Sequence, residues 1–151
     1  MKKKKILITG GAGYIGSMLS TELVNLGHIV TVVDTLKYSS DSINHLFHYK
    51  NFIFFKEDVT KINVIKRIIK KQDYIIPLAG LVGAPLCAKF KKEAIKVNFQ
   101  AVKDLLKVTK KNQKIIYPTT NSGYGVGQKN KFCDENSPLN PISLYGRTKT
   151  D

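Results

Sequence analysis

The sequence predicts an α/β fold, a doubly wound parallel sheet in a single domain, on three observations. Short apolar runs recur without polar alternation, helix-period segments lie between them, and the first run leads straight into a glycine-rich turn. A strand with one wet face alternates, whereas a strand covered by helices on both faces is apolar throughout. Strand and helix taking turns is the pattern that such a sheet requires.

The strand candidates are Ile6 to Ile8, Ile29 to Val33, Phe52 to Phe55, Tyr74 to Leu78 and Ile115 to Tyr117. After the first comes a helix with Ile15, Met18, Leu19, Leu23 and Leu26 at helical spacing, closed by Gly27 as a C-terminal cap. Ile62, Ile65, Ile68 and Ile69 mark a second helix. The longest is expected from about Lys89 to Asn112, with Phe90, Ala94, Val97, Ala101, Leu105 and Val108 inward and Lys92, Lys96, Lys103, Lys107 and Lys110 in water. From Thr119 to Pro141 the rhythm breaks at Gly123, Gly125, Gly127, Pro138 and Pro141, the mark of a long loop after the fifth strand. Long loops at strand ends in such folds tend to carry function.

The 151 residues suit one domain with one substantial core, and 42% of them are hydrophobic, which excludes global disorder. The formal net charge of +14 raises the question of nucleic acid. All but two of the basic residues are Lys, however, with Arg only at positions 67 and 147, whereas planar bidentate recognition of phosphates and bases favours Arg. The excess reads as a general lysine bias. Cys87 and Cys133 lie far apart and in no ligand spacing with His28, His45 and His48, so neither a disulfide framework nor a metal site is expected. Lys2 to Lys5 precede an apolar run too short for a signal core, and no stretch approaches a membrane span, so the expected location is the cytoplasm.

The turn Thr9-Gly10-Gly11-Ala12-Gly13-Tyr14-Ile15-Gly16 satisfies G-x-G-x-x-G at Gly11, Gly13 and Gly16, and G-x-x-G-x-x-G at Gly10, Gly13 and Gly16. Glycines serve a tight turn, backbone approach to a pyrophosphate and close packing of helix on strand, with the helix N-terminus facing the negative charge. Asp34 ends the second strand 21 residues after Gly13, where a carboxylate binds adenosine ribose hydroxyls and repels a 2′-phosphate. NAD is therefore favoured over NADP. The structural alternative for Asp34 is a cap on the next helix.

Tyr145-Gly146-Arg147-Thr148-Lys149 opens a helix introduced by Pro141-Ile142-Ser143. Residues i and i+4 share a face, so the ammonium lies beside the phenol and can lower its pKa toward the working range of a general base. In a chain this rich in lysine, such a pair alone means little.

Together these motifs, with Asp58-Val59, Leu78-Ala79-Gly80, Asn98 and Thr119-Thr120 before Tyr124-Gly125, run in an order that resembles the extended short-chain dehydrogenase/reductases. More narrowly, the chain is similar to the NAD-dependent nucleotide-sugar epimerase/dehydratase family over nearly its whole length. The resemblance implies a Rossmann-type NAD-binding domain over residues 1–151 in which Asp58 holds the adenine amino group beside Val59. It implies that Leu78, Ala79 and Gly80 line the cofactor cleft and that Asn98 steadies the active-site helix. Tyr145 is then the catalytic base, Lys149 binds the nicotinamide ribose, and Thr120, four residues before Tyr124, hydrogen-bonds the reacting hydroxyl, with Thr119 the near miss. A structural turn at the strand end is the alternative for both threonines.

The implied reaction is oxidation of a sugar hydroxyl to a ketosugar, with hydride passing to NAD+. Sugar 4,6-dehydratases carry acidic residues just after the catalytic Ser or Thr, but here stand Asn121 and Ser122, which ranks an epimerase above a dehydratase and leaves a reductase or decarboxylase open. The family also continues past this lysine into further strands and a substrate-binding region, whereas the chain stops at Asp151. It is therefore expected to be a truncated, amino-terminal part with little turnover by itself, from a protein that is a homodimer when complete. The competing readings are a cofactor-binding regulator without catalysis and a basic nucleic-acid-binding module. Titration with the two dinucleotides separates them: NAD is expected to bind saturably and more tightly than NADP, and NADP binding as well as NAD would overturn the role of Asp34. A nucleic-acid module would instead ignore NAD and lose its ligand steeply with salt.

Overall fold

The computed structural model describes residues 2–38, 41–127 and 132–151, in two compact units. The first comprises residues 1–79 and 101–118, the second residues 80–100 and 119–151.

The first unit holds a five-stranded parallel sheet: β1 (Lys5–Thr9), β2 (Ile29–Asp34), β3 (Phe52–Lys56), β4 (Tyr74–Pro77) and β5 (Lys114–Ile115), in the order β3-β2-β1-β4-β5. Ile6 pairs with Val30 on one side and Tyr74 on the other. Period-2 alternation sends successive side chains of β1 to opposite layers. Ile6 and Ile8 pack with Val30, Val32, Val24, Ile43 and Leu46, while Leu7 packs with Val33, Ile75, Ile65, Ile69 and Leu105. The sheet is thus covered on both faces, by α1 (Tyr14–Asn25) on one and by α2 (Ile62–Ile69) and a later helix, Ala101–Val108, on the other. This is the Rossmann-type arrangement, and chain order reverses between β1 and β4.

Three expectations about the sheet and its first helix are corrected. β3 is an edge strand, and Ile53 and Phe55 stay partly in water, so burial on both faces belongs to the inner strands alone. β5 is two residues long, beginning at Lys114 and leaving Ile116 and Tyr117 outside it. α1 turns a different face inward: Gly16, Ser20 and Val24 are buried with Leu19 and Leu23 against the core, while Ile15, Met18 and Leu26 are exposed. Gly16 lets the helix lie close against the glycine turn, where a Cβ would meet the Gly10 carbonyl and Gly11, and that close approach outweighs side-chain hydrophobicity.

The cap of α1 is as expected. Gly27 takes φ +82°, its N–H donates to the Val24 carbonyl at 2.9 Å, and the His28 N–H donates to the Leu23 carbonyl at 3.1 Å, a Schellman arrangement.

The long helix expected from Lys89 is instead broken. α3 (Ala84–Lys89), which the periodicity missed, ends at Phe90, whose φ of −115° and ψ of 54° lie outside the helical region. After it come α4 (Lys91–Ala94), a π-helical stretch Ile95–Gln100 and α5 (Ala101–Val108), which stops short of Asn112. Phe90 is half-exposed at the break, not inward, whereas Ala94, Ala101 and Leu105 are buried.

The second unit consists of α3, α4, the π turn, a 3-10 turn (Asn121–Tyr124) within the expected loop, and α6 (Leu144–Thr150). Its core is Leu81, Cys87 and Ala94, with Leu86, Val97, Leu144 and Tyr145 packed on it.

Two glycines of the first unit test different causes. Gly27→Ala meets no atom but must keep a positive φ, so it is expected to lose about 1 kcal/mol. Gly16→Ala drives its Cβ into the Gly10 carbonyl oxygen, so a loss of about 3 kcal/mol is expected. Denaturant unfolding of both variants checks the order, and equal losses would mean that the turn opens freely to admit a methyl group.

Candidate active site

The glycine turn joins β1 to α1 with almost no space to spare. Gly10 has φ +72°, and a Cβ there would come 2.5 Å from the Ala79 nitrogen; one on Gly11 would come 2.6 Å from Val32. Gly13 precedes α1 with no side-chain cap, no acidic residue stands in the first turn, and Tyr14 and Ile15 are exposed. A helix N-terminus left uncapped and in the open presents its first amides to an anion. These features fit the pyrophosphate of a dinucleotide.

Asp34 does not cap a helix. Its Oδ2 accepts from the Ala12 N–H at 3.0 Å, inside the glycine turn, and its Oδ1 from the Leu36 N–H at 2.8 Å. Leu36 holds φ +58°, an uncommon conformation for a residue with a γ-branched side chain, and the carboxylate secures it. Each oxygen has a second lone pair, so ribose hydroxyls can still be accepted. Asp58 Oδ1 accepts from Thr60 N–H at 2.8 Å, and Val59 packs on the core beneath the sheet. Leu78 donates its N–H to the Thr9 carbonyl at 2.9 Å, continuing the pairing of β4 with β1, and Ala79 follows it against Gly10.

In the second unit, Ser143 caps α6: its Oγ accepts from the Gly146 N–H at 2.9 Å. The helix meets the 3-10 turn through two glycines. A Cβ on Gly146 would come 2.9 Å from the Ser122 carbonyl oxygen, and one on Gly123 would come 2.5 Å from Thr150. This brings the segment of Thr120 against the helix of Tyr145 and Lys149. Thr120 Oγ1 accepts from the Ser122 N–H at 3.3 Å and lies 2.9 Å from Ser122 Oγ, so the threonine caps the turn, the structural alternative the sequence left open. Thr119 points elsewhere, its hydroxyl donating to the Lys149 carbonyl at 3.4 Å.

Asn98 is buried in the π turn and pairs with the main chain of Leu81 at two points, Leu81 N–H to Oδ1 at 2.8 Å and Nδ2 to the Leu81 carbonyl at 2.9 Å. The chain around Gly80, the remaining predicted cofactor contact, is held by that pairing. Sequence reasoning did not find Cys87, which is fully buried beside these groups; an apolar run gives no sign of which member will face a polar one.

The expected lowering of the tyrosine pKa is not what the protein alone shows. Burial, and after it the negative charge that the neighbouring Cys87 gains on ionising, push the Tyr145 phenol above its ordinary value. Burial likewise pushes the Lys149 ammonium below its ordinary value. Both groups are driven toward their neutral forms because desolvation outweighs their helical proximity.

The family model described as the NAD dependent epimerase/dehydratase family matches residues 6–150. The chain belongs to that family. NAD is the cofactor that membership assigns to it. It is 34% identical over 147 residues to a UDP-N-acetyl-alpha-D-glucosaminuronate decarboxylase of Bacillus cytotoxicus, covering 97% of this chain and 44% of that protein. It is 30% identical over 155 residues to a UDP-glucose 4-epimerase of Bacillus subtilis, covering 95% and 44%. Among solved structures, the UDP-Glc/GlcNAc 4-epimerase of Campylobacter jejuni superimposes with a TM-score of 0.88 at 30% identity, over 97% of this chain and 46% of that one. The chain spans less than half the length of these relatives. Among the described residues no helix is long and apolar enough to cross a membrane.

The tyrosine shift has a measurable sign. Above the ordinary tyrosine value the unfolded chain loses its proton first, so folding stability falls as pH rises toward the folded value. An ultraviolet alkaline titration of the protein, read as the difference from Tyr145→Phe, is expected to show a phenol ionising later than free tyrosine. An early-ionising phenol would mean that Lys149 already outweighs burial.

Proposed function

We propose that this chain carries the cofactor-binding and proton-transfer residues of an NAD-dependent nucleotide-sugar epimerase. The supporting observation is the close approach of two segments, at Gly146 against the Ser122 carbonyl and at Gly123 against Thr150, which brings the turn capped by Thr120 against the helix bearing Tyr145 and Lys149. When bound, NAD supplies the hydride acceptor. Tyr145, as phenolate, takes the proton of the sugar hydroxyl, and Thr120 hydrogen-bonds that hydroxyl and orients it. Lys149 holds the ribose and is the cation that opposes the upward push of burial on the phenol. Gly10, Gly11, Gly13, Tyr14, Ile15 and Gly16 receive the pyrophosphate, Asp34 the adenosine ribose, and Asp58 and Val59 the adenine. Leu78, Ala79 and Gly80 line the cleft beside them. The complete protein is proposed to work as a homodimer in the cytoplasm.

Asn121 and Ser122 favour epimerisation over elimination, since neither side chain exchanges a proton near neutral pH. A decarboxylase is the second reading, favoured by the 34% identity to the Bacillus cytotoxicus protein. Product mass distinguishes them: an epimerase conserves the mass of the sugar nucleotide, a decarboxylase releases carbon dioxide and a dehydratase water. In the complete protein, Tyr145→Phe is expected to lower turnover by about 10²–10⁴-fold while NAD binding persists. Retained turnover would sink the mechanism, and loss of NAD binding with it would mean that the residue only supports the fold.

A further inference from the structure

Cys87 is fully buried in the core of the second unit, on α3, and its surroundings are polar on one side only. Its Sγ donates to the Leu81 carbonyl at 3.4 Å and receives Nδ2 of Asn98 at 3.7 Å. That carbonyl is also the acceptor for Asn98 Nδ2 at 2.9 Å. The thiol therefore closes a ring of three groups, in which Asn98 and Cys87 both bind one main-chain oxygen and each other. On its other side lie Leu81 and Ala94, with Leu144 and Tyr145 of α6 packed onto the same cluster.

A thiol suits both sides of this position. It is a weak donor that can close the polar ring, and it is apolar enough to pack against an aromatic ring. Burial raises its pKa, so it stays an uncharged sulfhydryl near the phenol. Alanine would leave the Leu81 carbonyl with one donor fewer and a gap behind Tyr145. Serine would keep the donor.

We infer that Cys87 is a positioning residue for Tyr145, locking the Asn98–Leu81 pairing and through it fixing the surface on which the tyrosine of α6 rests. The inference goes beyond the proposed reaction but rests on it for the role of Tyr145.

The test compares Cys87→Ala and Cys87→Ser in the complete protein, by steady-state kinetics, NAD binding and hydrogen exchange of the Leu81 amide. Cys87→Ala is expected to lower kcat about tenfold, because a small displacement of the base is felt in the reaction rate and not in ligand binding. KM for the sugar nucleotide and Kd for NAD should stay within about twofold. The Leu81 amide should exchange faster in Cys87→Ala and near the unsubstituted rate in Cys87→Ser, which should also recover most of kcat. Unchanged Leu81 exchange in Cys87→Ala, or equal loss of kcat in both variants, would overturn the inference. If the unsubstituted protein transfers no hydride at all, the proposed function fails, and Leu81 exchange alone then decides whether Cys87 locks the pairing.

Discussion

At the carboxyl end of β1 three glycines lie so close to neighbouring segments that none of them could carry a side chain. Gly10 lies against the main chain of Ala79, Gly11 against Val32, and Gly16 against the carbonyl of Gly10. These contacts draw β4, β2 and α1 onto one turn, at the place where the sheet reverses its strand order. Asp34 completes the arrangement from the end of β2 by accepting the Ala12 amide. The turn proposed to receive an anionic ligand is therefore also the joint of the sheet, and its shape is set by packing.

The second unit uses the same device on a smaller scale. Gly146 lets the helix rest against the Ser122 carbonyl and Gly123 lets the 3-10 turn rest against Thr150, which sets the turn capped by Thr120 against the helix of Tyr145 and Lys149. Beneath them the π turn supplies what a regular helix would not. Its wider winding accompanies a fully engaged amide, Asn98, turned into a core otherwise built from Leu81, Cys87 and Ala94. The burial that makes this core firm also resists charge, and so the phenol and the ammonium of α6 are both pushed toward neutrality. Firm placement and easy ionisation pull against each other at this site.

Individual residues show where reading from the sequence failed. Ile15 and Met18 are more hydrophobic than Gly16 and Ser20, so periodicity assigned them to the core; the structure buries the small pair instead, and at Gly16 a side chain would run into the Gly10 carbonyl and Gly11. Phe90 matched a helical face running to Val108, yet it marks the break between two helices. α3 spans only six residues, too few for a helical period to show, and Pro85 stands in its first turn, where proline costs no hydrogen bond. Tyr145 and Lys149 have the spacing expected of partners, but spacing carries no information about desolvation.

The sequence by itself determined the inner strands, the glycine turn, the carboxylate at the end of β2, the cap at Gly27, the helix that follows Ser143, and the order of motifs that marks the family. Each of these is local, a matter of residue type at fixed separation along the chain, and local preferences survive folding when every level agrees with them. Tertiary structure alone decided which face of α1 is buried, where the long helix breaks, that Cys87 joins Asn98 at one carbonyl, and which way the phenol titrates. Those outcomes depend on free space and exclusion of water between segments remote in sequence, and neither quantity exists until the segments have packed.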